Sequence, residues 1–422
     1  VPSESRQIEA KVELWNAIDG RIEELIKTIG QLVRIPSLLG DEAPVQHWIA
    51  GHLTSSGLET EVWELDEKVK SLPNAGDSGV PFAGRPNVTA RLAGGSTGRS
   101  LILNGHVDVV SPEPVDAWSH DPWGVEIVEN RMYGRGAHDM KSGVGLNLFL
   151  ARLVAELGIG LGGDLKIHSV IEEECTGNGS LAASKRDRAD AAIVTEPLFS
   201  TVTMAHLGVM WFRVRITGKS AHAGWAWQGV NAIVKTAPMI QALQDLDFVL
   251  NTKVHPLYEG IHHPINLNIG VIHGGDWPST VPGACELHCR VSFFPDMSMA
   301  DMRATIEEAI ARAVEDDEWL TEFPPEIVYD GFQTNGVALD PDEPLLTVLE
   351  AAHHSVMGTP LQRQFATAVN DMRYYIFEGM PATCYGASGG NGHAADEWLD
   401  LDSLSPVAKS LAAFIVDWCG VE

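Results

Sequence analysis

The sequence predicts an α/β fold: a mainly parallel-sheet domain interrupted by an inserted α+β unit of βαββα-like order. Three observations predict it. Short apolar runs alternate with helical patterns between residues 87 and 195. Near residue 205 the texture changes to alternating, half-exposed strands and two helices. From about residue 325 the first texture returns. A chain of 422 residues is long enough for two or three domains. The expected segments are 1–205, the insert 206–323, and 324–422.

The elements follow in order. Ile8 to Leu32 and Asp41 to Leu53 place apolar residues at helical spacing. Pro73, Gly76, Gly79, Pro81, Gly84 and Pro86 mark a loop. Asn87–Leu92 and Ser100–His106 read as strands, Gly143–Leu157 as a helix, and Leu165–Ile171 and Ala191–Thr195 as strands. In the insert, Val209–Ile216 alternates like a half-exposed strand and Gly229–Leu246 is helical. Ile265–Ile272 and Glu286–Phe294 are strands, and Met299–Val314 is helical.

Composition narrows the function classes. Hydrophobic residues at 45% and charged residues at 20% fit a soluble globular protein. No apolar run reaches 18 residues, so no membrane span is expected. Val1-Pro2-Ser3-Glu4 begins no basic-then-apolar stretch, so no secretory signal is expected. A formal net charge of −28 disfavours nucleic acid and anionic membranes as partners. The five cysteines, Cys175, Cys285, Cys289, Cys384 and Cys419, contain no CxxC pair and predict reduced thiols in a cytoplasmic protein. Cys285 and Cys289 share a strand face and are expected in a core. Trp225 and Trp227, two of 12 tryptophans, are also expected to pack inside.

Ionisable residues collect at predicted strand ends, where open α/β sheets bind ligands. They are His106-Val-Asp108, Gly134-Arg-Gly-Ala-His-Asp139 ahead of a helix, Glu172-Glu173-Glu174, Glu196-Pro197, and Tyr385-Gly-Ala-Ser-Gly-Gly-Asn-Gly-His393. Singly, each has a bland reading: a capping pair, a solvated charge run, a turn. Their joint occurrence at strand ends points to a metal site. Two histidines with several carboxylates suit Zn²⁺, with Co²⁺ or Mn²⁺ as substitutes. Cations offset the high cost of a buried acid cluster. A further carboxylate outside the coordination sphere can act as general base on water.

With these motifs in place, the sequence resembles the dinuclear zinc amidohydrolases that include acetylornithine deacetylase, succinyl-diaminopimelate desuccinylase, aminoacylase and carboxypeptidase G. The resemblance runs from about residue 20 to the C-terminus. It is carried by Asn104-Gly-His-Val-Asp108, Tyr133–Lys141, the glutamate triplet, Thr195-Glu-Pro197, Gly218-Lys-Ser-Ala-His222, Gly274-Gly275 before Val281-Pro282, and His393.

The resemblance implies roles. His106 and Glu196 would bind one zinc, Glu174 and His393 the other, and Asp139 would bridge. Asp108 would hold the far ring nitrogen of His106. Glu173 would be the general base, with Glu172/Glu173 as the competing register for the base–ligand pair. The Asp139–Met140 peptide bond would be cis. Residues 206–323 would form a lid and dimerisation domain, with His222 stabilising the oxyanion in a partner's site or its own. Asn268, Arg290, Gly389 and Gly390 would contact substrate. Ser292 stands where many relatives carry an arginine, and Arg290 would replace it. His138 is expected in packing. Lys141 is expected to pair with nearby carboxylates or to cap structure. Asp371 lies where relatives carry a Thr-Asp, and Arg373 is read as facing either substrate or solvent. The pairs His262-His263 and His353-His354 are expected at the surface.

The implied activity is hydrolysis of the amide in a small N-acylated amino acid. A dipeptidase or carboxypeptidase needs the same centre, and a deformylase of an N-formylated heterocyclic amine is a further reading. A non-catalytic metabolite-binding relative is disfavoured, because neither a ligand nor the base is missing.

Overall fold

The computed structural model describes residues 4–422. Helix α1 (Glu4–Arg34) buries Leu14, Ile18, Leu25, Ile29 and Leu32 along one stripe. Helix α2 (Ala43–Ser55) follows, with Pro44 in its first turn.

The main sheet has six strands. They are β1 (Glu59–Glu64), β2 (Pro86–Leu92), β3 (Leu101–His106), β6 (Leu165–Val170), β7 (Ala191–Val194) and the strand Ala382–Cys384, in the order β1-β2-β6-β3-β7-(382–384). Strands β4 (Glu126–Val128) and β5 (Arg131–Tyr133) form a hairpin in a separate four-stranded sheet completed by Trp398–Asp400 and Gly389–Gly390. Strand β3 runs parallel to both β6 and β7, and 382–384 runs parallel to β7. Only β1 and β2 are antiparallel additions at one edge. Helices α3 (Lys141–Glu156) and α4 (Asn178–Arg186) follow the turns that leave β5 and β6.

Register positions the chemistry. His106 lies level with Val170, and Asn104 lies level with Val194. The three parallel strands therefore deliver His106, the glutamate triplet and Glu196 to one end of the sheet.

Strand β8 (Thr201–His206) pairs with Val337–Ala338 and Gln362–Ala366. A second, antiparallel sheet contains β9 (Gly208–Thr217), β11 (Leu267–Gly274), β13 (Ala284–Phe293) and the strand Glu326–Val328, in the order β11-β13-β9-(326–328). Two short strands, β10 (Ala221–His222) and β12 (Thr280–Val281), pair apart from it. Alternate residues of β9 and β13, including Phe212, Val214, Leu287 and Val291, meet Met239 and Leu243 of α5 (Ala232–Leu250) and Ile306 and Ile310 of α6 (Met299–Val314) in a hydrophobic cluster of their own. Cys285 and Cys289 belong to it, as their spacing predicts.

Several local expectations need correction. The strand at 59–64 was not anticipated. Its Glu-Thr-Glu-Val-Trp-Glu sequence suits an exposed sheet edge. Helix α4 was not anticipated. It starts after Gly177 at φ 78°, where a Cβ would meet Arg373 and Tyr374. Trp225 and Trp227 are 56% and 76% exposed instead of packed in a core. His262, His263 and His354 are exposed, but His353 is buried against Tyr385, with Nδ1 2.9 Å from the phenol oxygen. Among the described residues, no helix is long and apolar enough to cross a membrane.

Candidate active site

Asp139 lies between two imidazoles. Its Oδ1 is 3.2 Å from Nε2 of His106, and its Oδ2 is 3.5 Å from Nε2 of His393. His106 Nε2 also lies 3.9 Å from Glu196, and His393 Nε2 lies 2.9 Å from Glu174. Ligand atoms of His106, Asp139 and Glu174 all fall within 4.8 Å of one another. The Asp139–Met140 peptide bond is cis, as the resemblance implies.

The glutamate triplet divides sharply. Glu172, at φ 67°, points away from the cluster. Its carboxylate accepts from Arg85 (2.7 Å), Ser78 (2.9 Å) and Thr176 (2.7 Å), while Arg85 also grips buried Glu42. Glu173 lines a cavity of about 560 Å³ together with Asp139, Glu174, Glu196 and His393. Its carboxylate accepts no hydrogen bond among the described residues, and Arg373 Nη1 is 4.0 Å away. The geometry therefore supports the Glu173/Glu174 register, because Glu172 is already committed.

Asp108 needs refinement. Its backbone carbonyl, not its carboxylate, is nearer to His106 Nδ1, at 3.0 Å against 3.6 Å. The carboxylate instead accepts the backbone N–H groups of Glu173 (3.2 Å) and Glu174 (3.0 Å). Asp108 thus holds both the imidazole and the turn bearing the two glutamates.

The electrostatics are those of an acid cluster short of positive charge. Burial pushes Asp108 up to about 7. Burial, with neighbouring carboxylates, also drives Glu173 and Glu196 well above the usual range. Burial would raise Asp139 too, but hydrogen bonds from His106 and His393 outweigh it and hold that carboxyl low. Hydrogen bonds to Asp139 and Glu174 push His393 up to about 10. His106 is pushed well above its ordinary value: burial opposes this, but Asp139 and Glu196 overcome it. The ligand set gathers protons where divalent cations would balance it. With its N/O donors and one acid between two imidazoles, the set fits a pair of such ions.

Other predicted residues are more dispersed. Arg290 lines the cavity, along with Trp211 and Phe332. Burial holds its guanidinium below the usual arginine range, and no carboxylate among the described residues pairs with it. Asn268 faces Arg290 across β11 and β13 and lines a neighbouring cavity of about 530 Å³, which shares Trp211 and Arg290. Ser292 is buried, and its Oγ accepts the N–H of Asn266. His222 is exposed and does not line the cavity of its own chain; its Nδ1 accepts the N–H of Gly224. Gly389 and Gly390 pair with Leu399 and Trp398, outside the cavity lining. A Cβ on Gly389 would strike His138. Lys141 takes the second of its two expected roles: fully buried, it caps the C-terminal end of α1 by donating to the carbonyls of Leu32 (3.0 Å) and Ile35 (2.7 Å) rather than to a carboxylate. Arg373 is also fully buried, behind Glu173 and near Asp371.

Sequence reasoning missed Trp211, Phe332, Arg85, Glu42 and Glu397. The last accepts backbone N–H groups from the Asp139 turn. Arg85, Glu42 and Glu397 act through hydrogen bonds across more than forty residues of chain, where spacing carries no signal.

Comparison with known proteins decides the family. Residues 102–417 match peptidase family M20/M25/M40. The chain belongs to this family. Relatives include N-formyl-4-amino-5-aminomethyl-2-methylpyrimidine deformylase of Bacillus subtilis, 30% identical over 96% of this chain and 97% of that one. Acetylornithine deacetylase of Pectobacterium atrosepticum is 29% identical over 79% of this chain and 83% of that one. The dipeptidase Dug1p of Saccharomyces cerevisiae shares the fold at a TM-score of 0.78, with 14% identity and 97% and 98% coverage. As an M20 protein, the chain is a hydrolase of amide bonds.

Proposed function

We propose that this M20 hydrolase removes a short acyl group, formyl or acetyl, from a small amine. The observation that carries the reading is Glu173, a buried carboxylate that accepts no hydrogen bond among the described residues and faces the cavity beside the acids read as metal ligands. Two Zn²⁺ ions, replaceable by Co²⁺ or Mn²⁺, would be held by His106, Glu196 and Asp139 on one side and by Glu174, His393 and Asp139 on the other. When bound, they supply Lewis acidity to the amide carbonyl and to water.

Glu173 takes a proton from the attacking water as its oxygen bonds to the carbonyl carbon. The C–N bond then breaks, and Glu173 passes that proton to the leaving nitrogen. Burial raises the proton affinity of Glu173, which suits a group that must both accept and return a proton. Asp108 fixes the backbone of the base and the orientation of His106.

His222 stabilises the oxyanion from a second copy of the chain, with residues 206–323 as lid and dimer interface. The placement of His222 outside its own cavity supports this. So does the unpaired edge strand β11, with Val271 and Ile272 exposed.

For the amine, we favour one bearing a flat ring. Trp211 and Phe332 offer aromatic walls, and the deformylase relative matches essentially full length. An N-acyl amino acid is the second reading, favoured by Arg290, which has no carboxylate partner among the described residues and suits a substrate carboxylate. A hydrolysis screen on zinc-loaded protein tests both: N-formyl aminomethyl heterocycles, N-acetyl, N-succinyl and N-formyl amino acids, and dipeptides, each with and without chelator. Release from the heterocycles alone supports the first reading, release from acyl amino acids the second, and dipeptide cleavage alone overturns both.

A further inference from the structure

Glu397 is 1% exposed and lies four residues beyond His393. Its Oε1 accepts the N–H of His138 and of Asp139, both at 2.9 Å. Its Oε2 accepts the N–H of Gly136 at 3.0 Å and Arg135 Nη1 at 2.5 Å. The main chain continues the pattern: Gly134 N–H donates to the Glu397 carbonyl (3.0 Å), and Arg135 Nη2 donates to the Ala394 carbonyl (3.1 Å). One carboxylate thus satisfies half of the backbone N–H groups of the 134–139 turn that presents Asp139, in a place where unpaired N–H groups would carry a full desolvation cost.

The segment leading to Glu397 is held only in part by bonds of its own, from the Ala394 N–H to the Asn391 carbonyl and from Asn391 Nδ2 to the Asp396 carbonyl. Asn391, His393 and Asp396 all have left-handed backbones, with φ of 57°, 62° and 52°. Such residues persist where surroundings impose them. Asp396 is tied at Oδ1 to the N–H groups of Ser119 (2.7 Å) and His120 (3.1 Å), and Glu397 is tied to the 134–139 turn. Both ends of the site therefore meet at one side chain.

We propose that Glu397 is a positioning residue that clasps the two halves of the cation site, joining the turn of Asp139 to the segment that carries His393. This rests on the reading of Asp139 and His393 as metal ligands. A glutamine cannot substitute, because either orientation of its amide turns an NH2 towards two N–H donors. Arg135 offsets the charge of the carboxylate, which makes these bonds charge-assisted beside an already acidic centre.

The test compares Glu397→Gln with wild type in three measurements: metal content after dialysis against graded chelator, amide hydrogen exchange over residues 134–139, and unfolding of the metal-free protein. The expected result is loss of one cation at about 10–100-fold lower chelator concentration, with faster exchange at His138 and Asp139 and a cooperative unfolding transition retained. A merely structural role would lower unfolding of the metal-free protein and leave the chelator ratio unchanged, which overturns the proposal. If Glu397→Gln fails to fold, Arg135→Lys keeps the carboxylate and removes the tie to Ala394. A several-fold shift in the same direction is then expected, and no shift overturns the clasp. A wild-type protein that binds no pair of cations sinks the reading of the ligands instead. In that case unchanged exchange at 136–139 in Glu397→Gln still overturns the clasp.

Discussion

Glu172 and Glu173 are chain neighbours, both buried, and their carboxylates meet opposite surroundings. Glu172 sits in a network with Arg85, Glu42, Ser78 and Thr176, where every oxygen has a donor. Glu173 accepts no hydrogen bond among the described residues; Arg373 stands 4.0 Å off, and burial with Asp371, Glu196 and Glu174 outweighs the pull of His106 and keeps its proton affinity high. Burial is the same in kind. What differs is the balance of donors and cations. A fully paired acid holds structure, and breaking its pairing costs stability. One that accepts no hydrogen bond, held in place by the backbone around it, is available for proton transfer.

The largest expected effect separates the two at once. Glu173→Gln should lower kcat/KM by about 10²–10⁴-fold, with metal content unchanged and stability equal or higher. A variant with full turnover would end the assignment of the base. On the other side of the comparison, Arg85→Met leaves Glu42 and Glu172 buried without their cation. Denaturant unfolding should show a loss of about 3–5 kcal/mol, against little or none for Glu173→Gln.

His222 sharpens the contrast between a site complete in one chain and one completed by another. His222→Ala should lower kcat about 10²–10³-fold. Mixing inactive His222→Ala chains with inactive Glu173→Gln chains should restore part of the activity. No recovery, in subunits shown to exchange, would place His222 within its own chain.

A smaller effect concerns a buried group that avoids charge altogether. Burial, with Arg373 nearby, pushes His206 down to about 3, below its ordinary value of 6.5. The unfolded chain therefore takes up this proton first as pH falls. Stability from neutral His206 is present above pH 6.5 and is lost as pH drops towards 3. The expected loss is on the order of a few kcal/mol. His206→Gln should flatten that part of the acid-unfolding curve, and an unchanged slope would show that His206 is not its source.

Much of the candidate site was legible in the sequence, because most of its proposed ligands come from strand ends. His106, the triplet and Glu196 each close a short apolar run, and the parallel pairing of β3 with β6 and β7 places such ends side by side. Asp139 and His393 lie in glycine-rich segments that follow strands of a separate, smaller sheet, and they too were visible as motifs. The register of the triplet was not. Three consecutive glutamates look alike in one dimension, and only Arg85, 87 residues away, shows which of them is committed.

The exposure of Trp225 and Trp227, the burial of His353, Lys141 and Arg373, and the shift of Asp108 from its carboxylate to its carbonyl were likewise undetermined by local pattern. Composition, periodicity and strand-end chemistry determined the α/β class, the inserted antiparallel unit and the set of donors, because these depend on residue type and short-range spacing. Tertiary structure alone decided which acid is paired and which is free. That depends on partners such as Arg85, Arg373 and Glu397, brought in from distant parts of the chain, and pairing is a property of three-dimensional neighbours.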